Sequence, residues 1–355
     1  MMTNFDLGPL EPLLKDEHVT EILVNRYDVI FVERRGKLEK TEAKFDSEAH
    51  LQEVARKIAE PTGQALNESN PLVDSRLQDG TLVNIVLYPI AVDGTVMNLR
   101  KFSRSLPNEQ DLIQFGSWTQ EMVDFLKHCV KAGLNLMVAG GTGSGKTTVF
   151  NILTSFIPDD ERIVVAEWIT ELQLQNQHVV RMEARPANIE GRGEITVQQL
   201  VRNALKMRPE RIIVGEVRGG EAMDLIQAMN TGHDGSMFTM HATNVRDALS
   251  RFEAMMTMAG IDVPLLTIRE QIGMALNVIV SQQRLRDGSR RITKIAEVTG
   301  THGGIITTQD IFEFVDTGME NGRMTGYFSP TGYVPQFIQR LRDAGFTTDD
   351  SFFTI

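Results

Sequence analysis

The 355-residue sequence predicts an α/β protein, in which a parallel-sheet domain over residues 106–355 follows a smaller α+β domain over residues 1–105. Three observations predict this. From residue 106 onward, short apolar runs alternate with amphipathic runs of helical period, the order that a parallel sheet demands. Within that part, Gly140-Gly141-Thr142-Gly143-Ser144-Gly145-Lys146-Thr147 fits G-x-x-x-x-G-K-[ST] and sits between a strand-like and a helix-like run. Before residue 105 the strand-like runs are not separated by helices in that regular way.

In the first part, residues 20–25 and 29–33 read as strands, with a turn at Arg34-Arg35-Gly36-Lys37. Residues 47–60 read as a helix, because Leu51, Val54, Ala55, Ile58 and Ala59 fall at helical spacing. Pro61-Thr62-Gly63 stops it. Strand-like runs follow at 82–87 and 95–99. Residues 103–111, with Pro107-Asn108, read as a linker.

In the second part, strands are expected at 134–139, 162–166, 211–214 and 236–240. Helices are expected at 147–156, 197–207, 220–229 and 245–259. Thr196 with Gln199 three residues on is a capping-box signature for the helix at 197. Residues 292–298 and 311–315 read as extra strands. The methionines at Met255, Met256 and Met258 are expected to pack as helical core rather than form an adaptable partner surface.

The glycine-rich loop carries specific chemistry. Glycines let backbone N–H groups converge on phosphate oxygens, and the following helix adds its positive N-terminal end. Lys146 is placed to reach β- and γ-phosphates, and Thr147 offers a hydroxyl to Mg²⁺. ATP with Mg²⁺ is the expected ligand, and Gly140, Gly141, Thr142, Gly143, Ser144 and Gly145 complete its cradle.

Composition narrows the alternatives. Hydrophobic residues make up 41% and charged residues 23%, as in ordinary globular chains. No apolar run reaches the roughly 18 residues of a membrane span. The N-terminus lacks a signal-peptide pattern, and the single cysteine excludes internal disulfides and a Cys-rich zinc site, so a cytoplasmic location is expected. A net charge of −11 argues against non-specific grip on nucleic acid.

Hydrolysis needs an oriented water and stabilised charge beyond the cradle. Glu216 ends the apolar run 211–216 in a Walker B-like arrangement, with Gly215 where an Asp commonly serves the metal; its other reading is an ion pair with Arg218. Glu167 follows the apolar run 163–166, with Glu171 one helical turn on. His241 ends a strand and is placed to sense a γ-phosphate or hold a water, although spacing alone favours a core histidine bonded to backbone. His233 and His241 lack the further ligand of a metal site. Arg76 and Arg100, the latter in a small basic cluster with Lys101 and Arg104, read either as charge stabilisers closing over the triphosphate or as solvated charge.

Together these elements resemble the type II/type IV secretion ATPase superfamily over about residues 21–346. Its Walker A box matches residues 140–147, its Asp box 162–172, its atypical Walker B 212–218 and its His box 231–242; Arg76-Leu77-Gln78-Asp79-Gly80 and Leu99-Arg100-Lys101-Phe102 match its first-domain pattern. Asn188-Ile189-Glu190-Gly191-Arg192-Gly193-Glu194, Arg202-Asn203-Ala204-Leu205, Met229 to Ser236 and Thr308-Gln309-Asp310-Ile311-Phe312 are most similar to the Tad-type, CpaF-like pilus ATPases.

The resemblance implies a RecA-like P-loop NTPase domain after the α+β domain. It implies a homo-hexameric motor at the inner face of the cytoplasmic membrane that drives pilus assembly through inner-membrane platform proteins, with no nucleic-acid partner. It gives Lys146 and Thr147 the phosphate and Mg²⁺ contacts. It gives Glu167, Glu171 and Glu216 water orientation or activation, His241 γ-phosphate sensing, and Arg76 and Arg100 charge stabilisation. Two positions depart from the pattern, and both can lower turnover: Trp168 replaces the Asp that usually follows Glu167, and Phe238 replaces a small residue. A nucleotide-dependent scaffold with weak turnover, and a RecA-like nucleic-acid motor, are the alternatives.

Overall fold

The computed structural model describes residues 6–34, 37–62, 65–101, 107–188, 190–347 and 350–354. The turn residues Arg35 and Gly36, the helix stop at Gly63, Phe102, linker residues 103–106 with Arg104, and Ile189 lie outside the described residues. Two compact units form: one holds Met1–Leu106 with Ala187–Gly193, the other Pro107–Pro186 with Glu194–Ile355.

The first unit comprises α1 (Leu10–Lys15), β1 (Val19–Arg26), β2 (Val29–Arg34), β3 (Lys37–Lys40), α2 (Glu48–Ala59), β4 (Leu72–Arg76), β5 (Leu82–Val86) and β6 (Val96–Arg100). Its strands form one antiparallel sheet in the order β3-β2-β1-β6-β5-β4. One face is apolar: Ile22, Val24, Ile30, Val32, Val73, Val83, Ile85, Met97 and Leu99 pack with Leu51, Val54, Ala55, Ile58 and Ala59 of α2. The other face is wet, so apolar and polar residues alternate along the strands. Ser47 caps α2, its side chain accepting the His50 N–H.

The second unit begins with α3 (Glu109–Gln114) and α4 (Gln120–Lys131). The alternating part follows: β7 (Leu136–Gly140), α5 (Lys146–Thr154), β8 (Ile163–Glu167), β9 (Val179–Glu183), α6 (Val197–Ala204), β10 (Arg211–Val217), α7 (Glu221–Asn230), β11 (Met237–His241) and α8 (Val245–Thr257). Then come α9 (Leu265–Ala275), β12 (Val278–Arg284), β13 (Arg290–His302), β14 (Ile305–Glu320), β15 (Arg323–Pro330) and α10 (Ile338–Asp343).

Its sheet runs β15-β14-β13-β12-β7-β11-β10-β8-β9, parallel from β12 to β9 and antiparallel from β12 to β15. Strands β7 and β8 are buried on both faces. Leu136 and Val138 enter one core cluster and Met137 and Ala139 the other, as strand alternation requires. A strand covered on both sides is apolar throughout, which is why these two are plain in the sequence.

The capping box of α6 forms: Thr196 Oγ1 accepts the Gln199 N–H and Gln199 Oε1 accepts the Thr196 N–H. This helix ends at Ala204, short of the expected residue 207, where Lys206 and Met207 N–H bond back three residues and tighten the turn. Met256 is buried in the core while Met258 is 66% exposed, so the methionine run is only partly core. Among the described residues, no helix is long and apolar enough to cross a membrane.

Candidate functional site

Strands β7, β11, β10 and β8 are consecutive neighbours in the parallel part of the sheet. Each carries one predicted group at its carboxyl end: the glycine-rich loop after β7, His241 on β11, Glu216 on β10 and Glu167 on β8. Groups that lie between residues 140 and 241 of the sequence are thus lined along one edge of one sheet, the edge where open α/β sheets bind ligands.

The loop turns tightly into α5. Gly145 has φ 93° and Gly143 φ 69°, conformations that glycine adopts without strain. A β-carbon on Gly140 would lie 2.4 Å from the Gln282 carbonyl oxygen and 2.6 Å from Ser144 Oγ, so only glycine fits there. Lys146 Nζ donates to Gly141 O at 3.0 Å, folding its ammonium back across the loop. Ser144 Oγ is buried and has no hydrogen-bond partner among the described residues. Within α5, Asn151 Nδ2 donates to Thr147 O at 3.0 Å, and Asn151 Oδ1 accepts the Gln173 N–H at 2.8 Å. The helix that presents Thr147 is thereby tied to the segment that follows Glu167.

Glu167 is 3% exposed. Its Oε1 accepts the N–H groups of Glu171 and Leu172 at 3.0 and 3.1 Å. Its Oε2 is buried without a partner among the described residues. Burial pushes the carboxyl up to about 7, outweighing the two N–H bonds that favour the anion. Glu171 contributes its backbone N–H to that carboxylate, and its own charge adds to the upward shift.

Glu216 takes its plainer reading in this structure: its Oε2 accepts from Arg218 Nε at 2.7 Å and Nη2 at 2.5 Å. The turn beyond it is fixed by Glu221, whose Oε1 accepts the N–H groups of Arg218 and Gly219. His241 is half-buried and pairs in register with Gly140. Spacing favoured a backbone-bonded core histidine, but the ring makes no hydrogen bond to another described residue. Its backbone oxygen instead accepts from Arg251 Nη1 at 3.1 Å. Thr239 on the same strand donates from Oγ1 to Gly215 O at 2.6 Å, clipping β11 to β10. His233 lies on the turn after α7, its Nδ1 3.3 Å from Ala228 O.

The two departures differ in place. Trp168 is 39% exposed beside Glu167. Phe238 is fully buried and stacks on Phe252 of α8 at 4.9 Å, so its ring serves the core.

In the first unit, Arg76 and Arg100 are both register partners of Leu82, one on either side. Directly opposed residues share a face, so the two arginines lie about 10 Å apart on the wet face of the sheet.

Sequence reasoning missed the strand that backs the loop. Gln282 on β12 donates from Nε2 to Ser144 O at 3.0 Å, and Arg290 on β13 donates from Nε to Gly143 O at 3.0 Å. These contacts span 138 and 147 residues, and no local pattern announces them.

The glycine-rich turn into α5 and the buried Ser144 Oγ and Glu167 Oε2, partnerless among the described residues, fit a polar, anionic ligand with a metal ion.

Known proteins are similar to this chain over most of its length. Residues 3–327 match the family described as type II/IV secretion system protein. A putative conjugal transfer protein of Mycobacterium tuberculosis is 36% identical over 304 residues, covering 84% of this chain and 86% of that one. The type IV secretion system protein PtlH of Bordetella pertussis is 32% identical over 320 residues, covering 81% and 92%. The crystal structure of the Legionella pneumophila ATPase DotB superposes with a TM-score of 0.59 at 19% identity, covering 84% of this chain and 82% of that one. That likeness shows the fold, a RecA-like domain preceded by a smaller N-terminal one. The match over residues 3–327 and the two relatives above 30% identity establish the rest: the chain belongs to the type II/IV secretion system protein family.

Proposed function

We propose that this protein is a motor ATPase that hydrolyses MgATP at the carboxyl edge of the β7-β11-β10-β8 sheet. One observation carries the reading. A buried carboxyl with an unpartnered oxygen, Glu167, stands on the same edge as a complete phosphate-binding loop.

Lys146 and the loop N–H groups bind the β- and γ-phosphates, and Thr147 serves Mg²⁺. The metal supplies charge neutralisation across those phosphates when it is bound. Glu167 accepts the proton of the attacking water, and Glu216 orients that water. Glu171 holds the Glu167 carboxylate through its N–H. His241, at the level of Gly140, reports on the γ-phosphate. Arg76 and Arg100 stabilise the transferred charge from the α+β domain, whose boundary falls near residue 105.

The working assembly is a homo-hexameric ring in the cytoplasm, at the inner face of the cytoplasmic membrane. Its movement is passed to inner-membrane platform proteins of a Tad-type, type IV-like pilus. Lys146→Ala tests this directly: phosphate release and filament formation both disappear in that variant. Normal filaments in its presence would sink the reading.

A second reading, a nucleotide-dependent scaffold with weak turnover, draws on the ion pair that engages Glu216 and on Trp168 beside Glu167. Steady-state phosphate release from the purified protein separates the two.

A further inference from the structure

We propose that Gln282 and Arg290 are positioning residues that set the phosphate loop for a polyphosphate by binding its Ser144 and Gly143 carbonyl oxygens. The inference rests on the reading of residues 140–147 as a nucleotide site and deepens it.

Strand β12 runs parallel to β7, and Gln282 stands in register with Gly140 at the point where β7 gives way to the loop. Its side chain is almost fully buried, and Nε2 donates to Ser144 O at 3.0 Å. From the next strand, Arg290 Nε donates to Gly143 O at 3.0 Å. Two successive carbonyls are therefore held from the β12–β13 side.

A trans peptide is planar, so a carbonyl and the following N–H point in opposite directions. Holding Gly143 O turns the Ser144 N–H away from Arg290, and holding Ser144 O turns the Gly145 N–H away from Gln282. Both N–H groups then face the concave side of the loop. Ser144 N–H does reach across it, to Gly141 O at 3.3 Å, the same oxygen that Lys146 Nζ meets at 3.0 Å. Two donors converging on one acceptor make a seat for an anionic oxygen.

The hairpin that carries Arg290 is itself fixed. Asp287 Oδ1 accepts the Ser289 N–H at 2.9 Å, and Asp287 Oδ2 accepts the Met324 N–H from β15 at 2.8 Å. Leu285 N–H bonds to Ser289 O at 2.7 Å, closing the turn. The antiparallel extension of the sheet thus braces the loop from outside the β7–α5 unit.

The test compares Gln282→Leu, Arg290→Ala, Arg290→Lys, Arg286→Ala and Lys146→Ala in the full chain. A fluorescent ATP analogue with Mg²⁺ gives Kd, and phosphate release gives KM and kcat. Losing one loop hydrogen bond raises Kd and KM roughly three- to tenfold in Gln282→Leu and Arg290→Ala, with kcat held within about twofold. Arg290→Lys keeps a donor and recovers most of the affinity. Arg286→Ala removes the same charge from the same hairpin and changes Kd less than about twofold.

An unchanged Kd in both Gln282→Leu and Arg290→Ala overturns the proposal, as does an equal loss in Arg286→Ala, which would mark a general charge effect. A fall in kcat at constant KM overturns it too, because that is the signature of a smaller folded fraction. Should Gln282→Leu fail to fold, the exposed Arg290 variants decide alone. Wild-type binding that is abolished by Lys146→Ala upholds the nucleotide site whatever the other variants do. No binding by the wild type sinks both readings.

Discussion

A β-carbon at position 215 would lie 2.7 Å from Cγ of Glu167 and 3.0 Å from its Oε1. The glycine at 215 is thus the counterpart of an acid on the neighbouring strand. Val214 and Ala166 are register partners, so the next residues, Gly215 and Glu167, compete for one volume at the strand ends. Gly215→Ala overpacks that volume and costs about 1–3 kcal/mol. The cost shrinks in a Glu167→Ala background, where the methyl group has room. Urea unfolding of the two single variants and the double variant measures the coupling; additive costs would separate the two positions.

With Glu167 as the proposed base, stability and activity run in opposite directions with pH. Its folded value of about 7 exceeds the ordinary 4.5 because burial disfavours the anion. Between those values the folded chain keeps a proton that the unfolded chain has lost. Stability therefore falls as pH rises through that window and is level above it, a total of about 3 kcal/mol. Glu167→Gln keeps the oxygen that receives two N–H bonds and removes the charge. It is more stable than the wild type above pH about 7, by up to about 3 kcal/mol, and gains nothing near pH 4.5. Turnover of the wild type climbs with pH through about 7, as a base must ionise first. A wild-type rate that is flat from pH 6 to pH 8 would remove Glu167 from the role of base.

The pairing of Glu216 with Arg218 yields a different expectation. Arg218 is 60% exposed on its side chain and Glu216 24%, so solvent screens the pair. Arg218→Ala costs at most about 1 kcal/mol, and turnover does not fall, since Glu216 is released rather than lost. Glu216→Gln leaves nucleotide binding intact and lowers kcat by roughly a hundredfold or more. Thermal unfolding and single-turnover phosphate release check both. A large loss of kcat in Arg218→Ala would instead place that guanidinium on the reacting phosphate.

Much of this edge was legible in the sequence because it is made of local signals. Strands β7 and β8 are apolar on both faces and announce themselves, and each is followed at once by the residues that matter, Gly140 onward and Glu167. The capping box at Thr196 is equally local. Three kinds of information were not. Strand β12 is apolar at its start but ends in Ser281-Gln282-Gln283-Arg284, a polar stretch that is strand only because β7 and β13 pair with it. The helix α4 was overlooked although Thr119 caps it and its apolar face is buried. The fit of Gly215 against Glu167 needs the β8–β10 register, which no spacing along the chain contains.

Trp168 offers a last test of the electrostatics around Glu167. Glu171 and Glu183 already push its carboxyl upward through their charges. Trp168→Asp adds a third carboxylate beside the same group. Trp168 is 39% exposed, so the exchange changes stability by no more than about 1 kcal/mol. A like charge one residue away disfavours the anion and moves the alkaline-rising limb of turnover to higher pH by roughly half a unit. At pH 6.5 the variant is therefore about two- to threefold slower than the wild type, and at pH 8.5, where Glu167 is ionised in both, it is at least as fast. Full pH–rate profiles of the two proteins decide the matter. A constant ratio at every pH would show that position 168 acts on turnover without acting through Glu167.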